Sequence, residues 1–587
     1  MKQSSSSTSL THTTMAAPQS DLRLPHECWE LIFKFLLIND AGDAERNHRY
    51  FESLSLVSKQ FLSITNHLRF SLTICDPTLP FLPHLFQRFP NLTSLNLTRF
   101  EGDIDALLTQ ISTFPLHLKS LKISNKSNIP ANGLREFSKK ITSLTSLTCS
   151  HIGKIRSHDL VLISDCFPLL QELDLSNPRK VPSELNSKFF VLPKLRKINL
   201  SGHYYMNDSL FLHLCKNCEF LEEIVMLNCS FCQEGVAFAF RERPGLRSLS
   251  FGWRSFIQND DCSQYIDSLV SLKGLTCFNL SGSFISDETL LAIANNGLPI
   301  RRLVLQLCFG YSYVGLINLV SKCRFLQYLD LDGAHFLNDG HILELSRFLG
   351  DLVSINISRC HSLTSLALFA LLRNCAKLNE VRMEHTSIGK MSVENSSNLM
   401  NFVVYPHLKS LYLGFNTWLR NDGINMFASV FPNLQILGLS YSNGIFEEGI
   451  GQVLMKCSKI RHLTLAYSSG QKLPKMKFNV SMLEVLNLAH TGVDDETLHM
   501  ISKSCFGLLQ LDLRDCHDVT EKGVMQVIEN CTQLREINLS NCGKVSAGAV
   551  DSMVFMRPSL RKITPPPGFC CSDSKRKLLL RHGCLVC

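Results

Sequence analysis

An α/β solenoid, with parallel strands along one face and helices along the other, and with a small all-α module before it, is the fold this sequence predicts. Three observations carry that prediction. The pattern Leu-x-x-Leu-x-Leu, with Ile, Val, Met or Phe substituting, recurs from residue 92 to the C-terminal region. Its register positions, from Leu92, Leu118, Leu144 and Leu170 through to Leu508, Leu534 and Leu560, stand mostly 25 or 26 residues apart. Each unit also changes period. Leu508-x-x-Leu511-x-Leu513 alternates as a half-buried strand does, whereas Gly523, Val524, Val527 and Ile528 recur at helical spacing after a polar turn with Asp518 and Thr520. One strand–turn–helix unit cannot bury its own apolar face, so neighbours must stack into a curved array.

Taken in order, residues 1–20 are rich in Ser and Thr, lack the apolar run of a signal peptide and are expected to form a disordered leader. Residues 21–69 make the helical module. Leu24-Pro25 opens a run in which Trp29, Ile32, Phe33 and Leu36 recur at helical spacing. A polar loop through Asn39, Asp40, Gly42, Asp43 and Asn47 leads to a second apolar set, Leu54, Leu56, Val57, Phe61, Leu62 and Ile64. Pattern alone admits a helical cap that shields the first repeat. The residue order Leu24-Pro25-x-Glu27-x-Trp29-x-x-Ile32-Phe33-x-x-Leu36, then Leu54-Ser55-Leu56-Val57-Ser58-Lys59-x-Phe61-Leu62, resembles an F-box, particularly those of plant F-box/leucine-rich-repeat proteins. That resemblance implies docking onto a Skp-type adaptor held by a cullin scaffold with a RING subunit, the F-box protein itself doing no chemistry. It assigns Leu24, Pro25, Trp29, Ile32, Phe33, Val57 and Phe61 to adaptor contact or to the core of the module. The loop between the helices is longer than the usual pattern.

Phe70, Leu72 and Ile74 read as a degenerate strand, so residues 70–91 are expected to cap a solenoid that occupies 92–563. Cys229, Cys308, Cys360, Cys516 and Cys542 each stand eight residues after a register position. In this the array is similar to the cysteine-containing class of leucine-rich repeats, and these thiols are expected to cap the turn after the strand. Cys218, Cys323, Cys375, Cys457, Cys505 and Cys531 stand three residues before the next register position, where a small buried residue suits a helix-to-strand corner. Longer spacings after Leu246 and Leu378 predict protruding loops, one containing Glu394 to Asn398. Pro565, Pro566 and Pro567 are expected to end the array and leave 564–587 as a basic, Cys-rich tail.

At 45% hydrophobic residues the chain can bury a large core. No run of about eighteen apolar residues interrupts it, so no membrane partner is expected. Twenty-three cysteines without an export signal point to reduced thiols and to the nucleus or cytoplasm. A net charge of +8 over 587 residues is too modest to indicate a nucleic-acid partner. Gly389-Lys390 and Gly543-Lys544 lack the leading Gly and the following Ser or Thr of a phosphate loop, and His26-Glu27-Cys28-Trp29-Glu30 lacks a second zinc-binding His. No Gly-x-Ser-x-Gly elbow occurs. The chain is therefore read as non-enzymatic, with no catalytic residue, cofactor or metal assigned. Cys215-x-x-Cys218 and Cys229-x-x-Cys232 have a zinc-like pairing, but Cys218 and Cys229 already belong to the repeat grammar. Cys570, Cys571, His582, Cys584 and Cys587, around Lys575-Arg576-Lys577, read either as a metal cluster or as an exposed tail of thiols. The sequons at Asn96, Asn199, Asn279, Asn356 and Asn538 fall on predicted strands and reflect the repeat, not glycosylation.

Side chains two, four and six places after each register position should face the concave side. Tyr328, Asp330 and Asp332, then Glu380, Arg382 and Glu384 two repeats on, with Tyr412 beyond, predict a mainly acidic, partly aromatic surface for a basic segment of a protein substrate. Trp253, Phe415, Tyr441 and Tyr467 fall just beyond strand ends, either as interface anchors or packed on neighbouring repeats. The expected function is substrate recognition within an SCF-type cullin ubiquitin ligase, leading to proteasomal degradation. Two other readings stand beside it. One is a hormone or small-molecule co-receptor of the F-box class, which needs clustered basic residues, whereas Lys122, Lys197, Arg302, Arg382 and Arg514 are scattered. The other is an interaction scaffold outside any ligase.

Overall fold

Every repeat closes its strand around one apolar residue, and that residue is never exposed. The structure, a computed structural model, describes residues 24–38, 51, 54–180, 191–204, 208–229, 233–252, 263–390, 403–468, 480–570 and 572–586. Short strands such as Ser94–Asn96, Ser120–Lys122 and Ser146–Thr148 pair in parallel, with Leu95, Leu121 and Leu147 aligned and fully buried. The described residues supply 21 such strands to one continuous sheet, beginning with Ser71–Thr73. Helices return on the opposite face and bury Leu498 and Ile501, or Val524, Val527 and Ile528, against the backs of the strands. The result is the leucine-rich-repeat solenoid that the register predicts.

Stacking is reinforced by polar contacts that repeat with the register. At strand ends an Asn or Asp side chain accepts from the backbone N–H two residues on, as Asn96 does from Thr98 at 3.0 Å, Asn356 from Ser358 at 3.1 Å and Asp512 from Arg514 at 3.0 Å. Between units, the Asp495 carboxylate accepts from both the N–H (2.8 Å) and the hydroxyl (2.5 Å) of Thr520, the N-cap of the next helix. Asp339 with Thr364 and Asp287 with Ser312 repeat the arrangement. Gly523 is required there, because a Cβ at that position would lie 2.4 Å from Asp495 Oδ1.

The cysteines at the eighth position do what their spacing implies. Cys229, Cys308, Cys516 and Cys542 point their thiols at the carbonyls of Leu200, Leu280, Leu488 and Leu513 in the preceding repeat, at 2.9 to 3.2 Å. The same place is filled elsewhere by other donors. Lys126 donates to the carbonyls of Thr98 and Phe100, His203 contacts that of Leu175 at 2.8 Å, and Asn416 donates to those of Met383 and Leu413 at 2.8 and 2.9 Å.

The expected end of the array at residue 563 needs correction. After the three prolines the chain forms a helix, Asp573–Arg581, and a strand, Leu585–Val586, that pairs in parallel with Lys562–Ile563. Leu579, Cys584 and Val586 are buried in the common core. Proline stops a helix but cannot prevent a later strand from adding to an open sheet edge. This last helix approaches the turn Asp76–Phe81, so the two ends of the solenoid are brought together. Residues 1–20, the polar loop from Asn39 to Asn47 and the segment Glu394 to Asn398 lie outside the described residues.

Candidate functional site

Two surfaces concentrate the residues that the sequence singles out, the first being the N-terminal module. Helix His26–Ile38 packs on helix Lys59–His67, whose N-cap Ser58 accepts from Phe61 N–H at 3.1 Å. Trp29, Phe33 and Phe61 meet inside, with ring centroids 4.7 Å apart for Trp29–Phe61 and 5.0 Å for Phe33–Phe61. Phe51, Ile64 and Leu68 complete this core, which is separate from that of the solenoid. The remaining assigned residues, Leu24, Pro25, Ile32 and Val57, are exposed. Leu31 and Phe35, which the sequence reading passed over, are exposed at 65% and 64%, and Val57 at 65%. Leu31 and Phe35 share the helix with Ile32, whereas Val57 stands just before the second helix, and only the fold distinguishes this outer face from the inner one.

The second surface is the concave face around the strands Tyr328–Asp330, Ser354–Asn356, Glu380–Arg382 and Ser410–Tyr412, which are consecutive in the sheet. Tyr328 and Glu380 are thus two strands apart in one row, and Asp330, Asn356, Arg382 and Tyr412 form the next. The acidic patch expected there is smaller than strand alternation suggests, because Asp330 and Asp332 are buried. Asp330 makes the strand-end turn that Asn makes in other repeats, accepting from Asp332 N–H at 3.0 Å. Asp332 takes both arms of the Arg359 guanidinium, with Nε at 2.7 Å, and accepts from Gln306 at 3.0 Å. Burial pushes the Asp330 carboxyl above the ordinary carboxylate range.

What the concave face offers is alternating aromatic and basic groups with two partly accessible carboxylates. The Arg302 guanidinium lies 3.5 Å from the centre of the Tyr328 ring, and that of Arg382 lies 3.9 Å from the Tyr412 ring. Glu380 pairs with Arg382 at 3.0 Å, and Glu384 leans toward Gly414. Lys197 pairs with Glu223 far along the sheet, Lys122 lies on the strand Ser120–Lys122, and Arg514 stands two residues beyond the strand Gln510–Asp512, both remote from Arg302.

Phe415, Tyr441 and Tyr467 occupy a further feature, a stacked ladder on the rim where the strands end. The series His385, Phe415, Tyr441, Tyr467, His490 has successive ring centroids 4.7, 4.1, 4.4 and 4.1 Å apart, with near-parallel planes. All five residues have φ between 56° and 61°, a left-handed conformation that costs energy for a side chain of this size. All stand seven places after a register position, which is the signal that finds them. Their faces are spent on one another, so the rim presents ring edges. Trp253 lies outside the described residues.

Cys215, Cys218 and Cys229 are buried in the core, and burial raises their thiols, that of Cys229 to about 12; Cys232 lies outside the described residues. In the tail Cys584 is buried and Cys570 exposed, while Cys571 and Cys587 lie outside the described residues. Among the described residues no group of three or more His, Cys, Asp or Glu side chains could hold a metal ion, and no helix is long and apolar enough to cross a membrane.

Fold and surfaces define a leucine-rich-repeat solenoid that carries a separate helical module. No family model matches the chain. The DNA repair protein RAD7 of Saccharomyces cerevisiae is similar, at 24% identity over 327 residues that cover 53% of this chain and 52% of that protein. The chain thus spans about half the length of that curated relative. Among solved structures, a TLR13–ssRNA13 complex is 16% identical with a TM-score of 0.43, covering 82% of this chain and 71% of the other. The mouse RP105/MD-1 complex is 16% identical with a TM-score of 0.41, covering 83% and 87%.

Proposed function

We propose that this chain is the substrate-recognition subunit of an SCF-type cullin ubiquitin ligase, docking its N-terminal module on a Skp-type adaptor and capturing a protein on the solenoid. The observation that carries this reading is the division of apolar residues in the module. Trp29, Phe33 and Phe61 close inward, whereas Leu31, Ile32, Phe35 and Val57 remain exposed on a domain too small to hide them. Burying each under a partner is worth about 1.5–3 kcal/mol before the costs of association, enough for a stable complex. The F-box residue order supports the same partner. On the concave face Tyr328, Glu380, Glu384 and Tyr412, with Arg302 and Arg382 interleaved, suit a substrate segment that carries both charge signs rather than a purely basic one.

A second reading, an interaction scaffold outside any ligase, draws on the likeness to a DNA repair protein over half its length. Co-expression with a Skp-type adaptor separates the two. The ligase reading expects a one-to-one complex that survives gel filtration; a chain that elutes alone, folded, favours the scaffold.

A further inference from the structure

Two consecutive repeats expose large rings on the rim where their strands end. Phe415 and Trp418 follow the strand Ser410–Tyr412, and Tyr441 and Phe446 follow its neighbour Ile436–Gly438. The two loops are in contact: Phe446 N–H donates to Asn421 Oδ1 at 2.8 Å, and the Phe415 and Tyr441 rings stack. Phe415 and Tyr441 are 36% exposed, Trp418 and Phe446 50%. At roughly 150–250 Å² for a whole aromatic side chain, these fractions leave roughly 350 Å² of apolar surface open, close to half of the roughly 800 Å² that each partner buries in a stable association.

The fold does not ask for rings at these places. Tyr441 holds the left-handed turn that Asn125, Asn177, Asn228 and Asn541 hold in other repeats, where a short polar side chain costs least. Phe446 is the N-cap of the helix Glu447–Lys456 and makes no side-chain cap, whereas Ser312, Thr364 and Thr520 cap their helices from the same register position. One repeat thus gives up a turn residue and a helix cap, and shows two rings instead.

Charge is graded across the same rim. Lys390, in the preceding repeat, stands at one side with its ammonium 5.6 Å from the centre of the Trp418 ring. Glu448, in the first turn of the helix Glu447–Lys456, stands at the other. Both are exposed, and neither has an ion-pair partner among the described residues. The middle repeat carries both signs, Arg420 and Asp422, also exposed. A surface that is basic on one flank, aromatic in the middle and acidic on the other complements itself when turned through a half circle.

We propose that this rim is the interface through which two copies of the chain form a homodimer. A two-fold axis through the middle repeat sets Trp418 against Trp418, and Lys390 of one copy against Glu448 of the other. The proposal is independent of the adaptor reading and uses none of the exposed residues of the module.

Sedimentation equilibrium of the full chain over roughly 1–50 μM, at an ionic strength of about 0.15 M, reads the association directly. The expected result is a reversible monomer–dimer equilibrium with a dissociation constant on the order of micromolar. Tyr441→Asn/Phe446→Thr installs the residues that other repeats use at those two positions, so circular dichroism should be unchanged while dimerisation weakens at least about tenfold. Lys390→Glu and Glu448→Lys should each weaken it about tenfold, and the two together should restore it, because the pairs re-form with their signs exchanged. Leu31→Ser/Phe35→Ser should dimerise as wild type does. A wild type that stays monomeric, which leaves the rim to a different protein, overturns the proposal. So do dimers indifferent to Tyr441→Asn/Phe446→Thr, charge reversals without mutual rescue, and dimers lost with Leu31→Ser/Phe35→Ser.

Discussion

Asn416→Ala removes the best-connected polar side chain of the core. The Asn416 side chain is fully buried, accepts from the N–H and the hydroxyl of Thr386 at 2.8 and 2.9 Å, and donates to the carbonyls of Met383 and Leu413. Alanine leaves the Thr386 N–H without that acceptor in a dry interior, at about 1–3 kcal/mol. The two carbonyls suffer less, because the Thr386 hydroxyl, released from Asn416, can turn its one proton to Met383 O at 3.2 Å, and Leu413 O accepts from Ser442 at 3.5 Å; each lost bond there costs about 0.5–1.5 kcal/mol. The sum is about 4 kcal/mol, concentrated in the repeats around 383–416. A long repeat array need not unfold in one step, so a local probe is needed. Trp418, two residues away and half exposed, serves once Trp29 and Trp253 are replaced by Phe in both proteins. Urea unfolding followed by its fluorescence should show the full loss. A change under about 1 kcal/mol would refute the claim that a donor at the eighth position locks each repeat to the one before it.

Asp330→Asn should stabilise the protein at neutral pH. The folded-state pKa of Asp330 is raised above 3.8 by burial, so the folded chain holds this proton more tightly than the unfolded one and loses stability as pH rises above that value. The advantage of Asn should therefore fade as pH falls toward 3.8, and thermal melts across the acid range that run parallel would contradict this. Thiol chemistry gives a further test. Burial pushes Cys308 and Cys360 up to about 12, whereas Cys570 is exposed. Native-state alkylation mapped by mass spectrometry should modify Cys570 at least about tenfold faster, and equal rates would mean that the repeats open readily.

The solenoid was legible because one leucine pattern fixes strand, turn and helix together, and because a repeat that cannot close on itself must stack. Its C-terminal limit was not legible. The prolines at 565–567 read as a stop, yet what decides the end is whether Leu579, Cys584 and Val586 find a core, and Ile563 offers one across the sheet. On the concave face, alternation gives the direction of Asp330 and Asp332 but not their partners. Arg359, which ties down Asp332, comes from the next repeat, at the left-handed position where Asn or Gly is usual. In the module, helical spacing sets Ile32 and Phe33 on one stripe and Phe35 off it; only the packing of the second helix turns Phe33 inward and leaves its neighbour Ile32 exposed.

The most direct test of the central claim is the affinity of a Skp-type adaptor for three versions of the full chain, measured by calorimetry: wild type, Leu31→Ser/Phe35→Ser on the exposed face of the module, and Glu380→Lys/Glu384→Lys on the concave face. All substituted side chains lie outside the cores, so folding should be retained, as circular dichroism can verify. Wild type and the concave-face variant should bind tightly, and Leu31→Ser/Phe35→Ser should lose about a hundredfold or more, at roughly 1.5–3 kcal/mol for each buried apolar side chain. Equal affinity across the three, or no binding by wild type, would contradict that claim.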